Sequence, residues 1–126
     1  IFADGGLSVV EAFYKKTGIV PANHVIVAQR RLLEQNPQLP SEILRLFSDS
    51  KRIAYERGNF GSPAYLYFEH SDRTSQEKMV GNDPFPFGIK NNRQMLEMLF
   101  HNSHAEGLTQ RLAKIEEVFF PGLLDT

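Results

Sequence analysis

The feature that most constrains this chain is the run His24-Val25-Ile26-Val27-Ala28. It is short, β-branched and apolar at consecutive positions, so it has no polar face to turn toward water. Side chains alternate between the two faces of a strand, and a run of this kind therefore needs apolar cover on both, the mark of a central and usually parallel strand. Pro21 enforces an extended approach to it. No second segment of comparable strand character is evident, and a two-sided strand cannot stand without neighbours. The sequence thus predicts an α/β arrangement, rich in helix and poor in strands, whose sheet is incomplete within these 126 residues. The missing strands are expected from an upstream part or from a partner chain. A chain that opens Ile1-Phe2-Ala3-Asp4 rather than on methionine agrees with a lost upstream part.

The helical segments are read from apolar period and stop signals. Ile1 to Gly6 is the tail of a strand or a loop. Leu7 to Lys16 places Leu7, Val10, Phe13 and Tyr14 on one face, Ser8 and Glu11 have the spacing of a capping box, and Lys15, Lys16 and Gly18 mark the end. Arg30 to Gln35 makes about one turn before Asn36-Pro37 breaks it. A longer helix runs from Pro40 or Ser41 to Arg57, with Ile43, Phe47, Ser50 and Ala54 inward, Leu44 and Leu46 beside them, and Gly58 as its stop. Pro63 to His70 reads equally as helix or strand, and Ser71 to Gln76 is polar. Gly81-Asn82-Asp83-Pro84-Phe85-Pro86-Phe87-Gly88 excludes a regular element, yet its phenylalanines require packing, expected against the next helix. That helix is capped by Asn91 or Asn92 and runs to Ala105, with Met95, Leu96, Leu99 and Phe100 inward and a Schellman stop at Glu106-Gly107-Leu108 in which Leu108 folds back. A last short helix spans Lys114 to Phe119 before Pro121.

Composition narrows the function classes. With 41% hydrophobic residues, ten phenylalanines among them, the chain can bury a core and is not a disordered type. Its formal net charge of −1 gives no long-range field for nucleic acid or an anionic membrane, although a local basic pocket stays open. Absence of cysteine excludes disulfides, thiolate nucleophiles and zinc–thiolate sites, and leaves the compartment undecided. The longest apolar run, Val25 to Ala28, falls far short of the ~20 residues of a membrane span. There is no nucleophile elbow, phosphate-binding glycine loop, zinc-protease helix or calcium loop.

Four stretches carry a resemblance. Tyr14-Lys15-Lys16-Thr17-Gly18-Ile19-Val20-Pro21 closed by His24, Asp83 to Gly88 followed by Asn91-Asn92-Arg93, His104-Ala105-Glu106-Gly107-Leu108-Thr109, and Glu116-Glu117-Val118-Phe119 resemble, in order and spacing, motifs of 4,5-dihydroxyphthalate decarboxylases and related proteins. Phe87 departs from a more usual tyrosine, and Gly58 to Val80 matches no motif. The resemblance implies the C-terminal portion of a two-lobed fold like the type 2 periplasmic binding proteins, with ligand in the cleft between lobes. Residues 1–23 would be the end of the second lobe and the hinge crossing, and residues 24–126 the return into the first lobe with the C-terminal helices. It implies a lyase that decarboxylates an aromatic dicarboxylic acid such as 4,5-dihydroxyphthalate, in the cytoplasm; no cofactor and no metal ligand are assigned, and metal dependence stays open. The alternative is the substrate-binding protein of an ABC transporter, periplasmic if a signal peptide precedes it, because one fold serves both roles. Expected partners are a small aromatic carboxylate or other small anion, and the missing N-terminal part or a second copy of the chain. Neither nucleic acid nor membrane insertion is expected.

Each carboxylate of 4,5-dihydroxyphthalate lies para to a ring hydroxyl. Decarboxylation then needs a proton donor at the carboxylate-bearing carbon, a contact for the hydroxyls, and cationic or N–H donors for the other carboxylate. His24, just after Pro21 and before the apolar strand, is the candidate acid; the alternative is a hydrogen-bonded histidine at a strand start. Asp83 is a candidate hydroxyl contact or an Asx turn. Arg93 is a candidate carboxylate clamp or a surface charge near a helix start. Thr17 can donate to a carboxylate or close the first helix, and Arg30 follows the strand where ligands gather in open α/β sheets. His101 and His104 share a helical face at i, i+3 but lack an acidic partner at ligand spacing; they are read as surface residues, as is His70.

Overall fold

A computed structural model of the chain describes residues 3–57 and 73–126. The described residues contain six helices: α1 (Leu7–Thr17), α2 (Arg30–Gln35), α3 (Leu39–Arg57), α4 (Arg73–Val80), α5 (Ile89–Ala105) and α6 (Ile115–Val118), followed by a 3-10 turn at Pro121–Leu123. The ambiguous stretch Pro63 to His70 and the stop at Gly58 lie outside them.

The helix-rich character matches the sequence; the sheet does not. No strand is present among the described residues, and Ile19 to Gln29 forms an irregular connection between α1 and α2. Among the described residues no backbone–backbone hydrogen bond involves residues 20–28. Val25, Ile26 and Val27 are 67%, 58% and 86% exposed, so the run expected to be buried on two faces is open on both. The physical reason is the one that made the run conspicuous: a strand is stabilised by its neighbours, and these residues supply none.

Helix ends follow local chemistry, with some changes of actor. Ser8 does not cap α1. The helix begins one residue earlier, and the carboxylate of Asp4 accepts the N–H of Gly6 at 3.0 Å and that of Ser8 at 2.9 Å. The bonds to Ser8 and then Gly6 hold the Asp4 carboxyl below the usual carboxylate range. Lys15 and Lys16 occupy the last turn and Gly18 closes it. On α5 neither Asn91 nor Asn92 is the cap; Gly88 is, at φ 95° and ψ 159°. The first N–H groups of α5 instead meet Thr126, Lys90 donating to its carbonyl at 2.6 Å and Ile89 to its hydroxyl at 3.3 Å. At the other end the Schellman pattern is complete: Gly107 N–H reaches the His104 carbonyl at 3.0 Å and Leu108 N–H the Ser103 carbonyl at 2.8 Å. Leu108, however, points outward and is 75% exposed.

The core lies at the C-terminal end. Ile89, Leu96 and Ile115 are buried together, with Met95, Phe100, Phe119 and Leu124 packed against them. Leu99, expected inward, is exposed. On α3 the inward row is also rotated. Pro40 is buried, Ile43, Leu44, Lys51 and Tyr55 are half-buried, while Leu46, Phe47, Ser50 and Ala54 are exposed. The helix packs on the Pro121–Leu123 turn and on the proline-rich loop. That loop offers a carboxylate and carbonyls as well as rings, which a lysine and a tyrosine satisfy better than Ser50 and Ala54. α4, in the segment read only as polar, buries Gln76.

Candidate functional site

The best-defined constellation is where α3 meets the loop from Gly81 to Gly88. Phe47, Lys51 and Tyr55 are spaced i, i+4, i+8, which sets them in one row along the helix. Lys51 Nζ donates to Asp83 Oδ2 at 2.6 Å and to the Phe85 carbonyl at 2.9 Å, and lies 4.3 Å from the centre of the Phe87 ring. The Tyr55 hydroxyl donates to Asp83 Oδ1 at 3.3 Å. Phe87 in turn meets Phe47 edge-on, with ring centres 6.4 Å apart. Within the loop, Phe85 N–H donates to Asp83 Oδ1 at 3.2 Å, which is the Asx turn foreseen for that residue.

The opposite side of the loop is tied to α5. Asn92 Nδ2 donates to the carbonyls of Pro86 and Gly88, each at 2.8 Å, and Asn91 Nδ2 to the Phe87 carbonyl at 2.9 Å. These asparagines serve the loop that precedes their helix rather than the helix's own N–H groups. Pro84 is buried, Phe85 is half-buried and Phe87 stays partly open, so the rings pack less deeply than expected, and Phe87 packs toward α3. Both oxygens of Asp83 already have donors. Among the described residues its present contacts are those of a loop anchor.

A second locus lies between α5 and the segment leading into α6. A groove of ≈ 380 Å³ is lined by Arg93, Glu97, Phe100, His101, Lys114 and Glu116, among others. Arg93 reaches Glu116 at 3.4 Å and Glu97 at 3.5 Å. An incoming carboxylate would compete with two resident ones for that guanidinium. Beside the groove, Glu117 accepts from Arg111 at 2.6 Å and from the Lys114 N–H at 3.1 Å; Arg111 first, then the N–H, hold its carboxyl below the usual range. His104 Nδ1 is 3.2 Å from the Thr109 carbonyl, a contact within the turn that ends α5.

The remaining candidates stand apart. Thr17 Oγ1 donates to the Phe13 carbonyl at 2.8 Å and accepts the Ile19 N–H at 3.1 Å, so its hydroxyl closes α1. His24 is exposed on the irregular connection, and Arg30 is exposed at the first position of α2. No hydrogen bond or ion pair among the described residues joins any two of His24, Thr17, Arg30, Asp83 and Arg93. Lys51 is the central residue that the sequence did not single out. Its signal was its place between two aromatic residues on one helical row, hidden because lysine is ordinarily read as solvated.

No protein-family model matches the chain. Over 116 residues, 90% of its length, it is 26% identical to a 4,5-dihydroxyphthalate decarboxylase of Comamonas testosteroni. The chain spans only 35% of that protein. The similarity marks a distant relationship to a decarboxylase, carried by a helix-rich chain with no helix, among the described residues, long and apolar enough to cross a membrane.

Proposed function

We propose that this chain is a segment of a longer decarboxylase acting on an aromatic dicarboxylic acid such as 4,5-dihydroxyphthalate. The observation that carries this reading is the similarity to the Comamonas testosteroni decarboxylase, which runs through nearly the whole chain rather than one motif. The segment would form the C-terminal portion of a two-lobed protein, with residues 1–23 at the hinge crossing and residues 24–126 returning to the first lobe. His24 is the proton donor in this scheme. A para hydroxyl gives up its proton and pushes electrons into the ring, and the imidazolium of His24 delivers a proton to the carbon bearing the carboxylate. The bond to the carboxyl carbon then breaks, carbon dioxide leaves, and its bonding pair restores the aromatic ring while the hydroxyl regains a proton. Thr17, Arg30 and Arg93 are the donors for the second carboxylate, and Asp83 the acceptor for the hydroxyls. Exposure of His24 supports this role, because no hydrogen bond or ion pair among the described residues consumes its imidazole.

Incubating the longer protein with 4,5-dihydroxyphthalate tests the reading. Release of one carbon dioxide per 3,4-dihydroxybenzoate formed is expected. Saturable binding without carbon dioxide would give the site to a binding protein instead.

A further inference from the structure

The geometry points to Glu116 as the residue that sets the carboxylate affinity of the groove between α5 and the start of α6. It occupies Arg93 while the groove is empty, and it swings away when a small carboxylate with an aromatic or short apolar body enters. The inference deepens the reading of Arg93 as a carboxylate donor and rests on that reading for Arg93 alone. Arg93, Glu97 and His101 follow one another at i, i+4 and i+8, so one row along α5 forms one side of the groove. Lys114 and Glu116 lie on the other side. Phe100, Leu112 and Ile115 supply apolar wall between them, and the volume of ≈ 380 Å³ is at the small end of the ~300–1,000 Å³ of small-molecule sites. Cations at the rim of an apolar wall suit a carboxylate joined to a single ring or a short hydrocarbon.

Glu116 and Glu117 begin α6 side by side, yet they are held very differently. Glu117 accepts from Arg111 at 2.6 Å and from the Lys114 N–H at 3.1 Å, which fixes it. Glu116 has a loose hold. Arg93 Nη1 and Nη2 both reach its Oε1, each at 3.4 Å, beyond the ~2.7–2.9 Å of a charge-assisted hydrogen bond. Two nitrogens converging on one oxygen also forgo the fork-on-fork pairing that a guanidinium favours. Glu97, at 3.5 Å, adds a second loose contact, but it shares a helix with Arg93 and stays beside it whatever the groove contains. Glu116 comes from the opposite side, so its contact is the one that spans the groove. Its side chain is 54% exposed, and turning it into water costs little. An incoming carboxylate can offer Arg93 both oxygens and lay its body on the apolar wall, neither of which Glu116 does.

Benzoate titrated into the 126-residue chain, with the Arg93 side-chain and Ile115 methyl signals followed by nuclear magnetic resonance, tests the inference. Saturable shifts at both residues are expected in the wild type. Glu116→Gln should bind benzoate about two- to fivefold more tightly, the reach of one exposed ion pair. Glu116→Asp keeps the charge but draws the carboxylate back from Arg93, and should tighten binding as well. Arg93→Gln should abolish saturation. Wild-type affinity in Glu116→Asp beside tighter binding in Glu116→Gln would reduce Glu116 to its share of the surface field and overturn the inference. Shifts that do not saturate in the wild type or in either Glu116 variant overturn it too, as does saturation that survives Arg93→Gln. Turnover enters none of these readouts. Carbon dioxide release by the longer protein without saturable benzoate binding here removes this inference alone, and tightened benzoate binding without carbon dioxide release removes the decarboxylase reading alone.

Discussion

Lys51 shows how much a single side chain can hold at the junction of a helix and a loop. Its ammonium serves a carboxylate, a carbonyl and a ring face at once. Hydrogen bonds to charged groups contribute ~1.5–3 kcal/mol when sheltered and exposed ion pairs only ~0.2–1. With the Lys51 side chain 20% exposed and that of Asp83 41%, the lower range applies. Lys51→Met keeps the stem over Phe87 and removes the charge, and should cost about 1 kcal/mol in urea unfolding. Paired with Asp83→Asn in a double-mutant cycle, a coupling of about 0.5–1 kcal/mol is expected, and additivity would mean that the two do not act together. The same cycle separates the two roles of Asp83: an anchor moves stability, whereas a substrate contact moves turnover at constant stability. His24 is the opposite case, since no hydrogen bond or ion pair among the described residues holds it. His24→Gln in the longer protein keeps a hydrogen-bonding side chain but not a transferable proton. Turnover should fall ~10²–10⁴-fold with substrate binding far less affected, and a loss within about threefold would assign His24 to structure.

At the scale of elements, Gly88 and Gly107 offer a controlled comparison. Both have positive φ, at 95° and 75°, but a Cβ on Gly107 meets nothing within 4 Å while one on Gly88 would lie 2.7 Å from the Thr126 carbonyl carbon. Gly107→Ala should therefore cost only the backbone preference, about 1–2 kcal/mol. Gly88→Ala should cost more, because ψ 159° places it in a region nearly reserved for glycine and the C-terminal contact must also shift. Equal losses by thermal unfolding would show that Thr126 yields freely. The contrast mirrors what the sequence discloses. The Schellman stop at Gly107, the lysines of α1 and the span of α2 are written in local chemistry and were legible. The contact of Gly88 with Thr126 joins residues distant in sequence, and no local signal announces it. α4 was missed because RTSQEKMV carries almost no apolar period. The inward row of α3 was misassigned because its packing surface is a polar loop, so that Lys51 and Tyr55 face it instead of Ser50 and Ala54. Of the candidate site, the Asx turn of Asp83 and the helix-closing role of Thr17 could be read in advance. The mutual placement of the five candidates could not, since the residues between them supply no strand to order them.

For the molecule as a whole, the distribution of apolar residues is the telling quantity. Among the described residues only Ile19, Ile89, Leu96 and Ile115 are buried hydrophobics, whereas Val9, Phe13, Leu46, Ile53 and the Val25–Val27 run are exposed. Among the described residues a core has assembled around α5 and α6. Stability of the isolated chain should then depend steeply on a few positions and hardly at all on others of equal hydrophobicity. Leu96 is 5% exposed and sits in that core; Leu46, on α3, is 58% exposed. Leu96→Ala removes buried methyl groups and leaves space that its few neighbours cannot all fill, so a loss of ~2–3 kcal/mol is expected, near the low end for leucine because Met95 and Phe100 can relax. Leu46→Ala should stay within ~0.5 kcal/mol in the same chain, as for an ordinary surface change. Repeating both in a longer protein separates the two views of this fold. If α3 acquires a covering layer there, the cost of Leu46→Ala rises toward ~2 kcal/mol while that of Leu96→Ala hardly changes. A cost for Leu46→Ala that stays near zero in both contexts would leave the outer face of α3 as true surface.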